Sequence, residues 1–203
     1  RVSRLHGEVS RGMFRGLWSG FDQDEVPIVS VTNGVHSPTW VDRKLADLAA
    51  MRLAPEELAD GSGWLRPDGV SDEELWSMRR VLREQLVLEA RDRVRTSWRH
   101  RGASPAELGW VDDVLDPDVL TIGFARRVPT YKRLTLMLSD PARLTALLTD
   151  PDRPVQLVVA GKSHPADEQG KRLIQQLVRF ADDPAVRHRI VFLPNYDIRM
   201  AKS

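Results

Sequence analysis

Arg126, Arg127, Lys132 and Arg133 place four cations within eight residues, directly after an apolar run at 119–125. A second apolar run, 154–160, leads into Gly161-Lys162-Ser163-His164, and a third, 188–193, into Pro194-Asn195-Tyr196-Asp197. Arginine offers a planar fork that grips phosphate through two parallel hydrogen bonds, and lysine offers a compact, mobile charge. Cations drawn from two neighbouring loops, with Pro129 and Tyr131 stiffening the first, have the composition of an oxyanion or phosphate site. A solvated basic loop has the same composition, and spacing alone leaves both open. No Walker-type glycine loop and no G-x-G-x-x-G follows any of the three runs, so a nucleotide cradle of those kinds is not indicated.

A second candidate is Thr32-Asn33-Gly34-Val35-His36-Ser37-Pro38-Thr39-Trp40. An asparagine amide can bond two sugar hydroxyls and a tryptophan can pack on a ring. A tight turn followed by a buried Trp40 is the alternative. The five histidines are scattered without an i, i+4 pair, which gives no metal site. No pair of carboxylates stands out as a hydrolase couple among the surface acids.

The elements that must position these groups follow from periodicity. Val2, Leu5, Val9, Met13 and Leu17 recur every three or four residues, predicting a helix with one stripe on a core. Residues 27–32 are a β-branched run closed by Asn33-Gly34, predicting a buried strand and a turn with positive φ at those two residues. Residues 41–51 read as helix and 55–69 as a loop-rich connector. Ser71 and Glu74 form a capping box that opens a long helix to about Arg101, with Leu75, Met78, Leu82, Leu86 and Glu89 along one line. Ser104-Pro105-Ala106-Glu107 is a second helix start with proline at the first position. The last ninety residues alternate apolar strands with helices, the second carrying Leu173, Ile174, Leu177 and Phe180. That order predicts βαβαβ with a parallel sheet covered on both faces, half of a Rossmann-like domain. In such sheets ligands bind beyond the carboxyl ends of the strands, where all three polar segments fall.

Composition narrows the function class. The 203 residues are 41% hydrophobic and 29% charged, which supports a packed core and excludes a disordered tail. Thirty basic against 29 acidic residues give a net charge of +1, which argues against a general nucleic-acid binder. No run approaches about eighteen apolar residues, so no membrane span is expected. The absence of cysteine removes thiol catalysis and disulfides and fits a cytoplasmic protein. The chain opens on Arg1 and closes where a helical pattern has begun, so a piece of a longer protein is expected.

Several ordered segments resemble a known family. They are residues 2–10 (Val-Ser-Arg-Leu-His-Gly-Glu-Val-Ser), Thr32-Asn33-Gly34 with Trp40, Arg126-Arg127 with Tyr131-Lys132-Arg133, Ala160-Gly161-Lys162, and Asn195-Tyr196. Together they are similar to the α-glucan (glycogen, maltodextrin) phosphorylases of the bacterial branch, most weakly over residues 52–117. The resemblance implies an α/β fold of the two-Rossmann-domain glycosyltransferase type (GT-B). Residues 1–34 would end the N-terminal domain, 35–117 form a helical connector and the start of the C-terminal domain, and 118–203 supply half of its parallel sheet. It also implies reversible phosphorolysis of an α-1,4-glucan to glucose 1-phosphate, using orthophosphate and pyridoxal 5′-phosphate in a cytoplasmic enzyme that is usually a homodimer.

Carried over by resemblance, Arg127 and Lys132 hold the substrate phosphate, and Arg126 lies near the cofactor. Tyr196 and Trp40 pack around the cofactor, and Asn33 bonds the glucose. Lys162 lies in the matching glycine-lysine loop without an assigned role. The lysine that carries the cofactor is implied to lie beyond Ser203, so the fragment itself is expected to be inactive. Pro194 and Pro129 depart from the family pattern. Two phosphates about 6 Å apart repel by roughly 3 kcal/mol per charge pair at an effective dielectric of 20, so such a site requires neighbouring cations. A sugar-nucleotide-dependent glycosyltransferase of the same architecture, or a non-catalytic glucan-binding module, would also use this scaffold.

Overall fold

Three strands run parallel in the computed structural model, which describes residues 3–60, 63, 70–128 and 133–202. They are β1 (Leu120–Arg127), β2 (Val155–Lys162) and β3 (Ile190–Pro194), in the spatial order β1-β2-β3. Each apolar run seen in the sequence is a strand, but β1 and β2 continue further than the runs. Arg126, Arg127, Gly161 and Lys162 are therefore the last residues of strands and not loop residues. The helices are α1 (Arg4–Phe14), α2 (Ser37–Trp40), α3 (Arg43–Ala50), α4 (Pro55–Asp60), α5 (Asp72–His100), α6 (Pro141–Leu148) and α7 (Glu168–Ala181). Among the described residues no helix is long and apolar enough to cross a membrane.

The chain divides into two compact units, Arg1–Val41 and Asp42–Ser203. In the second, the sheet is packed on both faces, as a parallel sheet requires. One face meets α5 and the 3-10 segment Pro105–Asp113, through Val158, Ala160, Val191 and Leu193 against Val87, Ala90, Val94, Leu108 and Val111. The other face meets α6 and α7, through Leu157, Val159 and Ile190 against Leu144, Leu148, Leu177 and Ala181. The double cover holds for β2 and β3. It does not extend to β1, where Leu120 and Ile122 are exposed.

Helix α5 starts at the capping box: Ser71 Oγ accepts from the Glu74 N–H at 3.2 Å and the Glu74 carboxylate accepts from the Ser71 N–H at 3.1 Å. Its buried line is Val87, Ala90 and Val94, not the line from Leu75 to Glu89. The sheet reaches only the C-terminal part of the helix, and small side chains there allow close approach to the 3-10 segment. The second predicted helix start is real, with the Glu107 carboxylate accepting from the Ser104 N–H at 2.8 Å, but the segment winds as a 3-10 helix. Part of the expected connector, Pro55–Asp60, is helical.

The first unit differs most from its sequence pattern. Helix α1 forms, with Ser3 Oγ accepting from the His6 N–H at 3.1 Å, yet Leu5, Val9, Met13 and Leu17 are exposed. Its buried residues are Gly7 and Ser10. A Cβ on Gly7 would stand 3.2 Å from the Ser30 Cβ, so the helix lies against the following segment through its small side chains. Residues 27–32 form no strand, since among the described residues this unit offers no second strand to pair with. An Arg11 Nη1 to Ile28 O bond of 3.1 Å ties that segment to α1 instead. Neither Asn33 nor Gly34 has positive φ. A segment without a paired strand needs no hairpin turn, and the positive φ expected there is absent.

Candidate active site

The carboxyl ends of the three strands are aligned by their pairing. Arg126 is the register partner of Gly161, Arg127 of Lys162, and Gly161 of Pro194. Register partners on parallel strands point to the same face and lie about 4.8 Å apart, so the Arg127 and Lys162 side chains leave the sheet side by side. Two glycines make this closeness possible. A Cβ on Gly161 would stand 2.8 Å from Arg126 O and 2.8 Å from Val128 Cγ2. A Cβ on Gly170, in the first turn of α7, would stand 2.6 Å from Val128 O. Val128 is buried between them, and its N–H donates to Lys162 O at 3.1 Å. The ends of β1 and β2 are thus pinned by backbone contacts, whatever their long side chains do.

Arg126, Arg127 and Lys162 are exposed, and among the described residues no carboxylate lies within ion-pair distance of Arg127 or Lys162. Two like charges about 6 Å apart repel by roughly 0.7 kcal/mol in water, which an exposed pair tolerates. An anion placed between them turns that repulsion into two attractions. At the end of β3, Asn195 takes a left-handed φ of 61° and turns the chain sharply. Tyr196 then packs, half-buried, against the core formed with α5. The Asp197 carboxyl is held below the usual carboxylate range, first by the Met200 N–H donating to it at 2.9 Å, and further by the positive charges of Arg93 and Lys162. It therefore stays ionised beside the cationic strand ends.

The structure thus brings Arg126, Arg127, Lys162 and Tyr196 to one end of one sheet. Lys132, with Pro129, Thr130 and Tyr131, lies outside the described residues. The chain re-enters at Arg133 with a left-handed φ of 52°, followed by a 3-10 turn anchored by the buried Leu134. Asn33 and Trp40 belong to the first unit, where both are exposed. Close by, His36 Nδ1 and Thr39 Oγ1 are hydrogen-bonded at 2.8 Å. Sequence reasoning placed Lys162 on a ligand-facing loop; what it could not supply was the pairing that sets it next to Arg127.

No protein-family model matches the chain. Individual proteins do. The glycogen phosphorylase of Mycobacterium tuberculosis is 60% identical over 201 residues, covering 99% of this chain and 23% of that protein. The glycogen phosphorylase of Aquifex aeolicus is 42% identical over 203 residues, covering 98% of this chain and 29% of that protein. By sequence, the chain is similar to one part of the glycogen and maltodextrin phosphorylases. The maltodextrin phosphorylase of Thermococcus litoralis is 32% identical over 207 residues, covering all of this chain and 24% of that protein. The chain spans about a quarter of the length of these phosphorylases. Within that quarter lies the sheet whose strand ends carry the paired cations.

Proposed function

We propose that the protein containing this chain is an α-glucan phosphorylase, which cleaves glycogen or maltodextrin reversibly with orthophosphate to give glucose 1-phosphate. The observation that carries this reading is the 60% identity to a glycogen phosphorylase along the whole chain. The strand-end geometry supports it. Orthophosphate needs a rigid cationic seat, and Arg127 is presented beside Lys162 with no carboxylate partner among the described residues.

Each residue has a definite task in this reading. Arg127 holds the substrate phosphate through bidentate guanidinium bonds, keeping it where it can protonate the departing glycosidic oxygen. Lys132 adds a second charge to the same seat. Asn33 bonds the glucose hydroxyls and so fixes the sugar whose anomeric carbon gains positive character as the bond breaks.

A pyridoxal 5′-phosphate site fits the donor set. Tyr196 presents a half-buried ring at the end of β3, and Arg126 a charge without a carboxylate partner among the described residues; for Trp40, in the first unit, a cofactor role rests on the resemblance alone. When bound, the cofactor supplies a phosphate that exchanges a proton with the substrate phosphate. The chain's part is to gather cations densely enough for two phosphates to coexist. The covalent lysine, a dimeric state and a cytoplasmic setting complete the reading.

The test uses the full-length protein. Glucose 1-phosphate release from a maltooligosaccharide should require orthophosphate. Arg127→Ala should raise the half-saturating phosphate concentration at least tenfold and leave that for glucan unchanged. Transfer from a nucleoside diphosphate sugar in place of phosphorolysis would overturn the assignment, as would phosphate kinetics unchanged by Arg127→Ala.

A further inference from the structure

We infer that Lys162, acting with Arg127, is a direct ligand for a phosphate group at the ends of β1 and β2. The inference deepens the phosphorylase reading and rests on it only for which phosphate arrives there.

Four features of the strand ends converge on Lys162. It is the register partner of Arg127, so two cations of the same sign leave the sheet from adjacent positions on the same face. Arg126, one residue earlier, points to the opposite face and does not share their space. The backbone holds the pair together: Gly161 permits an approach that any Cβ would block at 2.8 Å, and the Val128 N–H bond to Lys162 O closes it at 3.1 Å. Among the described residues neither side chain has an ion-pair partner that would quench its charge.

Flexible surface cations usually separate to reduce repulsion. Here the chain spends a glycine and a buried valine to keep them adjacent, which makes the seat pre-organised for an anion. The guanidinium supplies a planar two-bond contact and the ammonium a third donor from a different direction, which suits a tetrahedral oxyanion better than a planar carboxylate. Asp197, whose carboxylate is already bonded by the Met200 N–H at 2.9 Å, follows the end of β3 within reach of the Lys162 charge. An ammonium has three donors, so attraction to Asp197 orients it and leaves donors for the anion.

The phosphate could be orthophosphate or the phosphate of the cofactor, and two measurements on the full-length protein separate them. In the cofactor-loaded protein, binding of radiolabelled orthophosphate is followed by equilibrium dialysis. In the same protein, release of pyridoxal phosphate is followed by its absorbance during dialysis. Lys162→Gln should weaken one of the two by about tenfold, the loss expected for one charge-assisted contact. Lys162→Arg should restore it to within about threefold. A change in the first assigns the substrate phosphate, and a change in the second assigns the cofactor. Lys162→Gln equal to wild type in both would overturn the inference, as would wild-type protein that binds neither. A wild type that binds orthophosphate through Lys162 but releases no glucose 1-phosphate would leave the inference standing and remove the phosphorylase reading.

Discussion

Gln156, fully buried in the middle strand, is hydrogen-bonded to both backbone groups of Asp116. Its Oε1 accepts from the Asp116 N–H at 2.8 Å, and its Nε2 donates to Asp116 O at 2.7 Å and to Thr121 Oγ1 at 2.7 Å. The same turn is held from two other sides. Arg91 of α5 donates to Val114 O and Leu115 O, each at 2.8 Å, and the Leu115 N–H donates to His188 O at 2.8 Å. Leu115 needs such support, since it has a φ of 60° in the left-handed region. This clamp sets where β1 begins, and so where Arg127 ends.

Replacing Gln156 by Leu keeps the volume and removes the clamp. Two backbone groups then lose their partners in a partly buried site, which costs up to about 1–3 kcal/mol for each unsatisfied group. Urea denaturation should show a loss of about 3 kcal/mol at unchanged slope. A loss below about 1 kcal/mol would mean that water or a shifted turn satisfies Asp116.

The acid limb of stability offers a second check. Arg80 donates to both carboxylate oxygens of Asp118, at 2.8 and 3.0 Å, and also pairs with Glu84. The hydrogen bonds to Arg80 hold the Asp118 carboxyl below its ordinary range. A carboxyl whose folded pKa is depressed contributes stability above its unfolded pKa and loses it as pH falls through the folded value. Asp118→Asn should therefore lower the urea midpoint at neutral pH, with the gap closing as the medium is acidified through and below the ordinary carboxylate range. Both groups are largely exposed, so the gap should be small and shrink further in high salt. A gap that widened on acidification would contradict the pairing.

The three strands, α5 with its capping box and α7 were legible in the sequence because each follows from a local rule: apolar continuity, an N-cap pair, a period of 3.6. The cation cluster was legible for the same reason, through residue type and its place after a strand. Register was not. Nothing in the spacing says that Arg127 meets Lys162 and not its neighbour, because that choice is made by Gly161 and Val128 across the pair. The Gln156 clamp was also hidden, since its partners are forty and thirty-five residues away. In the first unit the local rules misled. The stripe on α1 and the run at 27–32 have core-like periodicity, yet Leu5, Met13, Val29 and Val31 are exposed.

Asn195 carries the remaining prediction. A left-handed φ was expected at Asn33-Gly34 but is found at Asn195, immediately after Pro194 closes β3. The turn has consequences on both sides: it folds Tyr196 back onto the core of Val158, Leu193 and Met200, and it presents the Asp197 carboxylate to the Met200 N–H. Asparagine tolerates this conformation better than residues with a bulkier Cβ environment, and glycine tolerates it without steric cost. Asn195→Gly should therefore stay within about 0.5 kcal/mol of wild type, while Asn195→Val should lose about 1–2 kcal/mol by chemical denaturation. If φ alone governs the position, the glycine variant also keeps Tyr196 in place, and its ring resonances in an aromatic NMR spectrum, assigned with a Tyr196→Phe control, should match wild type. A glycine variant less stable than the valine one would show that the Asn195 side chain, and not its backbone, holds the end of β3.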